Sequence, residues 1–156
     1  MLKKKSIPKV SLISNSEKET QACAQRLAGQ LKRGDIVFLK GDLGAGKTTF
    51  VKGLAQAFKL SPKKVSSPTF VIMNYYKGKL PIYHFDLYRL EKPAEIDTLD
   101  FDEYFYGEGI SLIEWPERLG MHAPKQYYLV EFQHKSEHQR KICISYPLKP
   151  QLKSSH

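Results

Sequence analysis

Apolar residues in this chain come in short runs cut by polar breaks, and the period of each run names an element. Val10 to Ile13 reads as a short strand. Ser16 and Glu19 form an S-x-x-E capping box, which predicts a helix running to about Lys32 with Cys23, Leu27 and Leu31 along one stripe. Gly34 ends that helix, and Asp35-Ile36-Val37-Phe38-Leu39 follows as a short buried strand. From Lys47 to Phe58 the helical period returns, with Phe50, Val51, Leu54, Ala55 and Phe58 sharing a face. Ser61-Pro62 then breaks the chain, and Lys63 to Pro68 makes a connector. Thr69 to Tyr76 and Leu80 to Leu87 read as two strands of a hairpin around Lys77-Gly78-Lys79. Glu91 to Phe105 is acidic and partly helical, and Ile110 to Ile113 is a buried strand ending at Glu114. Tyr127 to Phe132 and Lys141 to Tyr146 pair as a last hairpin around a polar, His-rich turn. There is no internal repeat. The pattern predicts an α/β fold whose sheet is mixed and partly antiparallel, flanked by helices, because several strands are joined by hairpins rather than helices. One domain spans 1–146, and 147–156 reads as a flexible C-terminal tail.

The polar break between the central strand and its helix carries the chemistry. Gly41-Asp42-Leu43-Gly44-Ala45-Gly46-Lys47-Thr48 fits G-x-x-x-x-G-K-[ST], the phosphate-binding loop. Glycines at 41 and 46 let the backbone approach an anion, so that successive N–H groups point at phosphate oxygens. In this motif Lys47 reaches the β- and γ-phosphates and the Thr48 hydroxyl holds Mg²⁺. The strand before and the helix after are the context the motif needs, since the helix dipole also favours the phosphates. The expected fold is a single P-loop NTPase domain, and the expected ligands are a nucleoside triphosphate and Mg²⁺.

Composition narrows the class. A chain of 156 residues holds one core but no separate lid domain. Its formal charge of +9 suits polyanionic partners, although only the lysines at 3, 4, 5 and 9 are densely placed and no RNA-recognition motif appears. Cys23 and Cys143 stand apart, outside any zinc or disulfide pattern, and the five histidines show no metal spacing. The start resembles a signal-peptide n-region, but the apolar stretch from Val10 to Ile13 is too short for a signal or a membrane span. The expectation is a cytoplasmic protein with no membrane partner.

Two acids stand at predicted strand ends. Glu114 takes the position of a metal-side carboxylate, and it also reads as an ordinary solvated strand-end acid. Asp86, in His84-Phe85-Asp86-Leu87-Tyr88-Arg89, reads equally as a second acid and as a salt-bridge partner of Arg89. His84 would share a strand face with Asp86, and its simpler reading is a half-buried strand histidine. Ser67-Pro68-Thr69-Phe70 offers Thr69 as a switch residue, though taken alone it is a turn into a strand. Trp115, the single tryptophan, reads as a core anchor or as a wall of the site beside Glu114.

Taken together, and in this order and spacing, the phosphate loop through Thr49-Phe50, Ser67-Pro68-Thr69-Phe70, His84 to Leu90 and Ile113-Glu114-Trp115-Pro116-Glu117 resemble the TsaE family. The resemblance spans about Glu19 to Glu117. It implies a small bacterial ATPase that binds ATP, hydrolyses it slowly, and serves N6-threonylcarbamoyladenosine formation on tRNA in a complex with TsaD and TsaB. Contact with tRNA is then indirect, through the complex, and hydrolysis resets the complex between turnovers. By position it assigns nucleotide binding to Asp42, Leu43, Gly44, Ala45, Gly46, Lys47, Thr48, Thr49 and Trp115. Thr48 and Glu114 take the metal, and Lys47, Asp86, Glu114 and Thr69 the catalytic roles. Lys52 stands where many relatives carry Arg, which keeps the charge. Self-association of the isolated chain stays open.

Two rival classes share the phosphate loop. A GTPase is set aside, because no Asn is followed by Lys as guanine reading requires. A small-molecule or nucleoside kinase is the alternative, with Asp86 as base, but such enzymes carry an Arg-rich lid and here only Arg118 and Arg140 follow Arg89. A nucleotide-sensing module without turnover is the third class.

Overall fold

Successive side chains leave opposite faces of a strand, so alternation decides which layer each residue serves. The computed structural model describes residues 8–42, 44–60 and 72–147, and among these seven strands form one sheet. In chain order they are β1 (Lys9–Ser14), β2 (Ile36–Lys40), β3 (Met73–Tyr76), β4 (Ile82–Asp86), β5 (Ile110–Glu114), β6 (Tyr128–His134) and β7 (Arg140–Ser145). Across the sheet the order is β1-β7-β6-β2-β5-β4-β3. β2 runs parallel to both β5 and β6, and β4 runs parallel to β5. The outer pairings β1–β7, β6–β7 and β3–β4 are antiparallel. The mixed sheet expected from the pattern is present, with parallel strands at its centre, where burial on both faces suits unbroken apolar runs.

Helices α1 (Glu17–Ala28) and α2 (Lys47–Ala57) cover one face. Val37, Leu39, Ile110, Leu112 and Ile142 turn to that side and meet Leu27, Phe50 and Leu54. The neighbours of these strand residues, Ile36, Phe38 and Ile113, turn the other way with Phe85. There they pack on α3 (Pro93–Asp97), α4 (Phe101–Phe105) and a 3-10 segment (Pro116–His122), through Ile96, Phe101, Phe105 and Leu119. The acidic stretch is thus two short helices.

Several boundaries differ from expectation. α1 stops at Ala28 rather than near Lys32, because Gln30 N–H and Leu31 N–H bond the Leu27 and Ala28 carbonyls and tighten the exit into a turn. Leu31 is buried although it lies beyond the helix. Gly34, at φ +87, belongs to the turn into β2, where Lys32 N–H donates to the Asp35 carboxylate at 2.8 Å. Ser16 caps α1 as expected, its Oγ accepting from Glu19 N–H at 3.1 Å, but the Glu19 carboxylate accepts from Asn15 N–H rather than from Ser16. The connector, Thr69 and residues 148–156 of the expected tail lie outside the described residues. No helix among the described residues is long and apolar enough to cross a membrane.

Candidate functional site

Parallel strands end together, and the crevice beyond their carboxyl ends is where an α/β sheet holds ligands. Here Leu39, the penultimate residue of β2, pairs with Glu114, and Glu114 pairs with Asp86. Both carboxylates therefore stand level with the start of the phosphate loop. By alternation Glu114 follows Leu112, and Asp86 follows Ile82 and His84, onto the face that α2 covers.

The loop between β2 and α2 turns through Gly44 at φ +79 and Gly46 at φ +106, values that side chains rarely adopt. Ala45, 2% exposed, anchors the loop in the core. Gly46 is the N-cap of α2 and supplies no side-chain hydrogen bond, so the first N–H groups of the helix keep their capacity for an anion. Lys47 is buried, and its Nζ donates to Gly41 O at 2.7 Å while lying 3.6 Å from Glu114 Oε1.

Glu114 is a buried charge held by two partners. Its Oε2 lies 2.9 Å from His84 Nε2, and since a carboxylate only accepts, that nitrogen carries the proton. Burial pushes the Glu114 carboxyl up, but the His84 hydrogen bond and the His84 and Lys47 charges outweigh it and hold the group below its ordinary range. His84 is 1% exposed rather than half-buried, and it binds the acid directly. Its role was unreadable from spacing alone, because β4 and β5 pair only in the fold. Asp86, 8% exposed, accepts from Tyr88 N–H at 3.0 Å. Trp115 is half-buried with φ +59, and its ring lies 4.9 Å from that of Tyr88 and 6.0 Å from Lys47 Nζ. It also packs on the second core, so wall and anchor are one residue.

One cavity of about 470 Å³ gathers Gly44, Gly46, Lys47, Thr48, Thr49, Asp86, Glu114 and Trp115. Asp42 is exposed and lines a neighbouring hollow with Gly41 and Glu117 instead. Ala45 sits beneath the loop, and Leu43 and Thr69 lie outside the described residues. Two lining residues were not anticipated. Tyr88 belongs to the His84 to Leu90 block, so its neighbourhood was visible and its role was not. Arg140 enters from β7, and no local signal marks it. Arg118, the other late arginine, lies 5.8 Å from the Trp115 ring. The arginines that looked too sparse for a lid are both near the site.

The sequence model of one family matches residues 14–142, and its description is "Threonylcarbamoyl adenosine biosynthesis protein TsaE". The chain belongs to the TsaE family. A TsaE protein of Bacillus subtilis, named tRNA threonylcarbamoyladenosine biosynthesis protein TsaE, is 41% identical over 128 residues, 81% of this chain and 79% of that one. A TsaE protein of Synechocystis with the same name is 49% identical over 105 residues, 64% of this chain and 66% of that one. The crystal structure of Bacillus subtilis YdiB aligns over 93% of this chain and 90% of its own, with a TM-score of 0.77 and 32% identity. The TsaE match covers the loop, both acids and Arg140.

The residues present fit a magnesium-bound triphosphate. An uncapped helix start faces the cavity, Lys47 is at hand, and the Thr48 hydroxyl stands at the rim with the two carboxylates. Among the described residues no three His, Cys, Asp or Glu side chains cluster as metal ligands. Mg²⁺ takes one or two carboxylates and completes its shell with phosphate oxygens and water, and Thr48, Asp86 and Glu114 offer oxygens of that kind.

Proposed function

We propose that this chain is the ATPase of tRNA threonylcarbamoyladenosine synthesis, binding ATP with Mg²⁺ in the cytoplasm and hydrolysing it slowly as a partner of TsaD and TsaB. The observation that carries the reading is the pair of buried carboxylates level with the phosphate loop, in a chain whose relatives are named for that biosynthesis. Loop N–H groups and Lys47 hold the phosphates, and the Thr48 hydroxyl with Glu114 would hold the metal. Bound Mg²⁺ would neutralise phosphate charge and polarise the phosphorus–oxygen bond being broken. The Lys47 ammonium now donates to the neutral Gly41 carbonyl, and a phosphate on the loop would offer it an ionised acceptor instead, with charge on both sides of the bond. His84 keeps the Glu114 carboxylate ionised and aimed. Asp86, on the adjacent strand, orients the attacking water. Trp115 and Tyr88 wall the cavity and limit water entry. Thr69 senses the terminal phosphate, and its segment passes the nucleotide state to TsaD.

The test is reconstitution of the tRNA modification from purified components. Omitting this chain, or replacing it with Lys47→Ala, should stop multiple turnover while leaving a first round intact. Equal multiple-turnover rates in all three cases would reject the role. Appearance of a phosphorylated acceptor in place of free phosphate would move the reading to a kinase.

A further inference from the structure

Arg140, the first residue of β7, is a cation at this cavity that neither the phosphate-loop motif nor the acids account for. Register puts it there. β6 pairs with β2 from Tyr128 opposite Val37 to Glu131 opposite Lys40, then runs on to His134, which pairs with Arg140. The β6–β7 hairpin therefore overhangs the loop that leaves β2. At its root it packs on the loop so closely that a Cβ at Gly41 would lie 3.0 Å from Phe132 Cβ. Arg140 shares its strand face with Ile142 and Ile144, the face that α2 covers, so its side chain descends on the helical end of the loop.

The contacts are close but leave the guanidinium under-used. A Cβ at Gly46 would lie 2.8 Å from Arg140 Cδ, so the aliphatic stem rests on the glycine itself. Nη2 donates to Gly44 O at 3.4 Å, a long bond that a charged acceptor would displace. Nε is buried with no hydrogen-bond partner among the described residues. A buried guanidinium donor without an acceptor is costly, and an anion on the loop would supply one.

Position across the sheet says which part of that anion it meets. Asp86 and Glu114 stand on β4 and β5, on one flank of β2, whereas Arg140 comes from β7 on the other. A phosphate chain lying on the loop keeps its metal-bearing end against the carboxylates and presents its inner end to the guanidinium. We propose that Arg140 is a nucleotide-binding clamp on the phosphates nearest the nucleoside, the part that ATP and ADP share. The proposal rests on the ATP reading of the same site. It makes Arg140 a residue of binding, in contrast to the two acids, which act on turnover.

The experiment is calorimetric titration with Mg²⁺ plus ADP, and with Mg²⁺ plus a non-hydrolysable ATP analogue, on the wild type, Arg140→Met and Arg140→Lys. Steady-state ATP hydrolysis is measured alongside. Met keeps an apolar stem over Gly46, and Lys keeps the charge without the planar fork. Arg140→Met should weaken both nucleotides by a similar factor of about tenfold or more, raising KM for ATP by that factor with kcat moved far less. Arg140→Lys should recover part of the loss. Wild-type ADP affinity in Arg140→Met overturns the clamp. So does a loss confined to the ATP analogue and joined to a fall in kcat, which places the guanidinium at the terminal phosphate. If Arg140→Met fails to fold by circular dichroism, Arg140→Lys decides alone, a several-fold loss for both nucleotides supporting the clamp and unchanged affinity overturning it. Failure of the wild-type chain to bind either nucleotide strikes the ATP reading itself, a result distinct from any of these.

Discussion

Glu114 is a carboxylate kept charged in a place that by burial alone would neutralise it. Two groups on different elements prevent that: the Lys47 ammonium from the start of α2 and the His84 hydrogen bond from β4. Removing the Glu114 carboxylate takes the acidic partner from both buried groups, so conservative changes are the informative ones. Glu114→Gln and Asp86→Asn should each lower kcat on the order of a hundredfold while changing the ADP dissociation constant by much less, because groups that act on metal and water are felt mainly in the transition state. Steady-state hydrolysis at saturating ATP, with calorimetry on the same preparations, checks this. A variant with wild-type kcat would make its acid purely structural. Trp115 adds a residue-scale constraint of another kind. A bulky side chain at φ +59 is strained, and Trp115 holds it at the entry to the 3-10 segment with its indole 6.0 Å from Lys47 Nζ.

At the scale of elements, α2 has two duties, to present its amino end to the cavity and to pack on α1. Gly53 serves the second. A Cβ there would lie 2.6 Å from Gln21 O and 2.8 Å from Ala24 Cβ, so the two helices cross at this glycine. Helix propensity favours Gly53→Ala by about 1 kcal/mol, whereas overpacking against a neighbouring backbone costs about 1–3 kcal/mol. The contact should win. Gly53→Ala is expected to destabilise the chain, read as a lower urea midpoint with an unchanged slope, and a higher midpoint would mean that the helices separate freely. The β6–β7 hairpin shows the same economy: its inner half belongs to the sheet, and its outer half reaches past the end of β2 to the phosphate loop.

For the whole molecule, strand order matters more than any single contact. β2 lies between β5 and β6, so the phosphate loop emerges from the middle of the sheet with acids on one flank and Arg140 on the other. A ligand bound there touches the loop after β2, α2, β4, β5 and β7 together and should stabilise all of them against unfolding. At a nucleotide concentration about a hundred times the dissociation constant the gain is about 2.7 kcal/mol, or roughly 5–10 °C in Tm for a domain of this size. Thermal unfolding with and without Mg²⁺ and ADP should show that rise for the wild type, and little or none for Lys47→Ala at the same concentration. An equal shift in both would remove Lys47 from the binding site.

What the sequence determined by itself is what neighbouring residues decide together. Eight consecutive residues make the phosphate loop, alternation and the helical period make the strands and helices around it, and four ordered blocks suffice for the TsaE resemblance that the family match then shows. Strand ends could be read, so Glu114 and Asp86 could be placed at the rim. The fold alone decided which distant segments share a face. His84 meets Glu114 because β4 pairs with β5, and Asp42 lines a neighbouring hollow rather than the main cavity. Arg140 reaches Gly44 across 96 positions of chain. α1 ends early because the chain has to turn back for β2. Each of these depends on pairing and packing between segments far apart in sequence, where local period and propensity carry no information about which partner a strand will take.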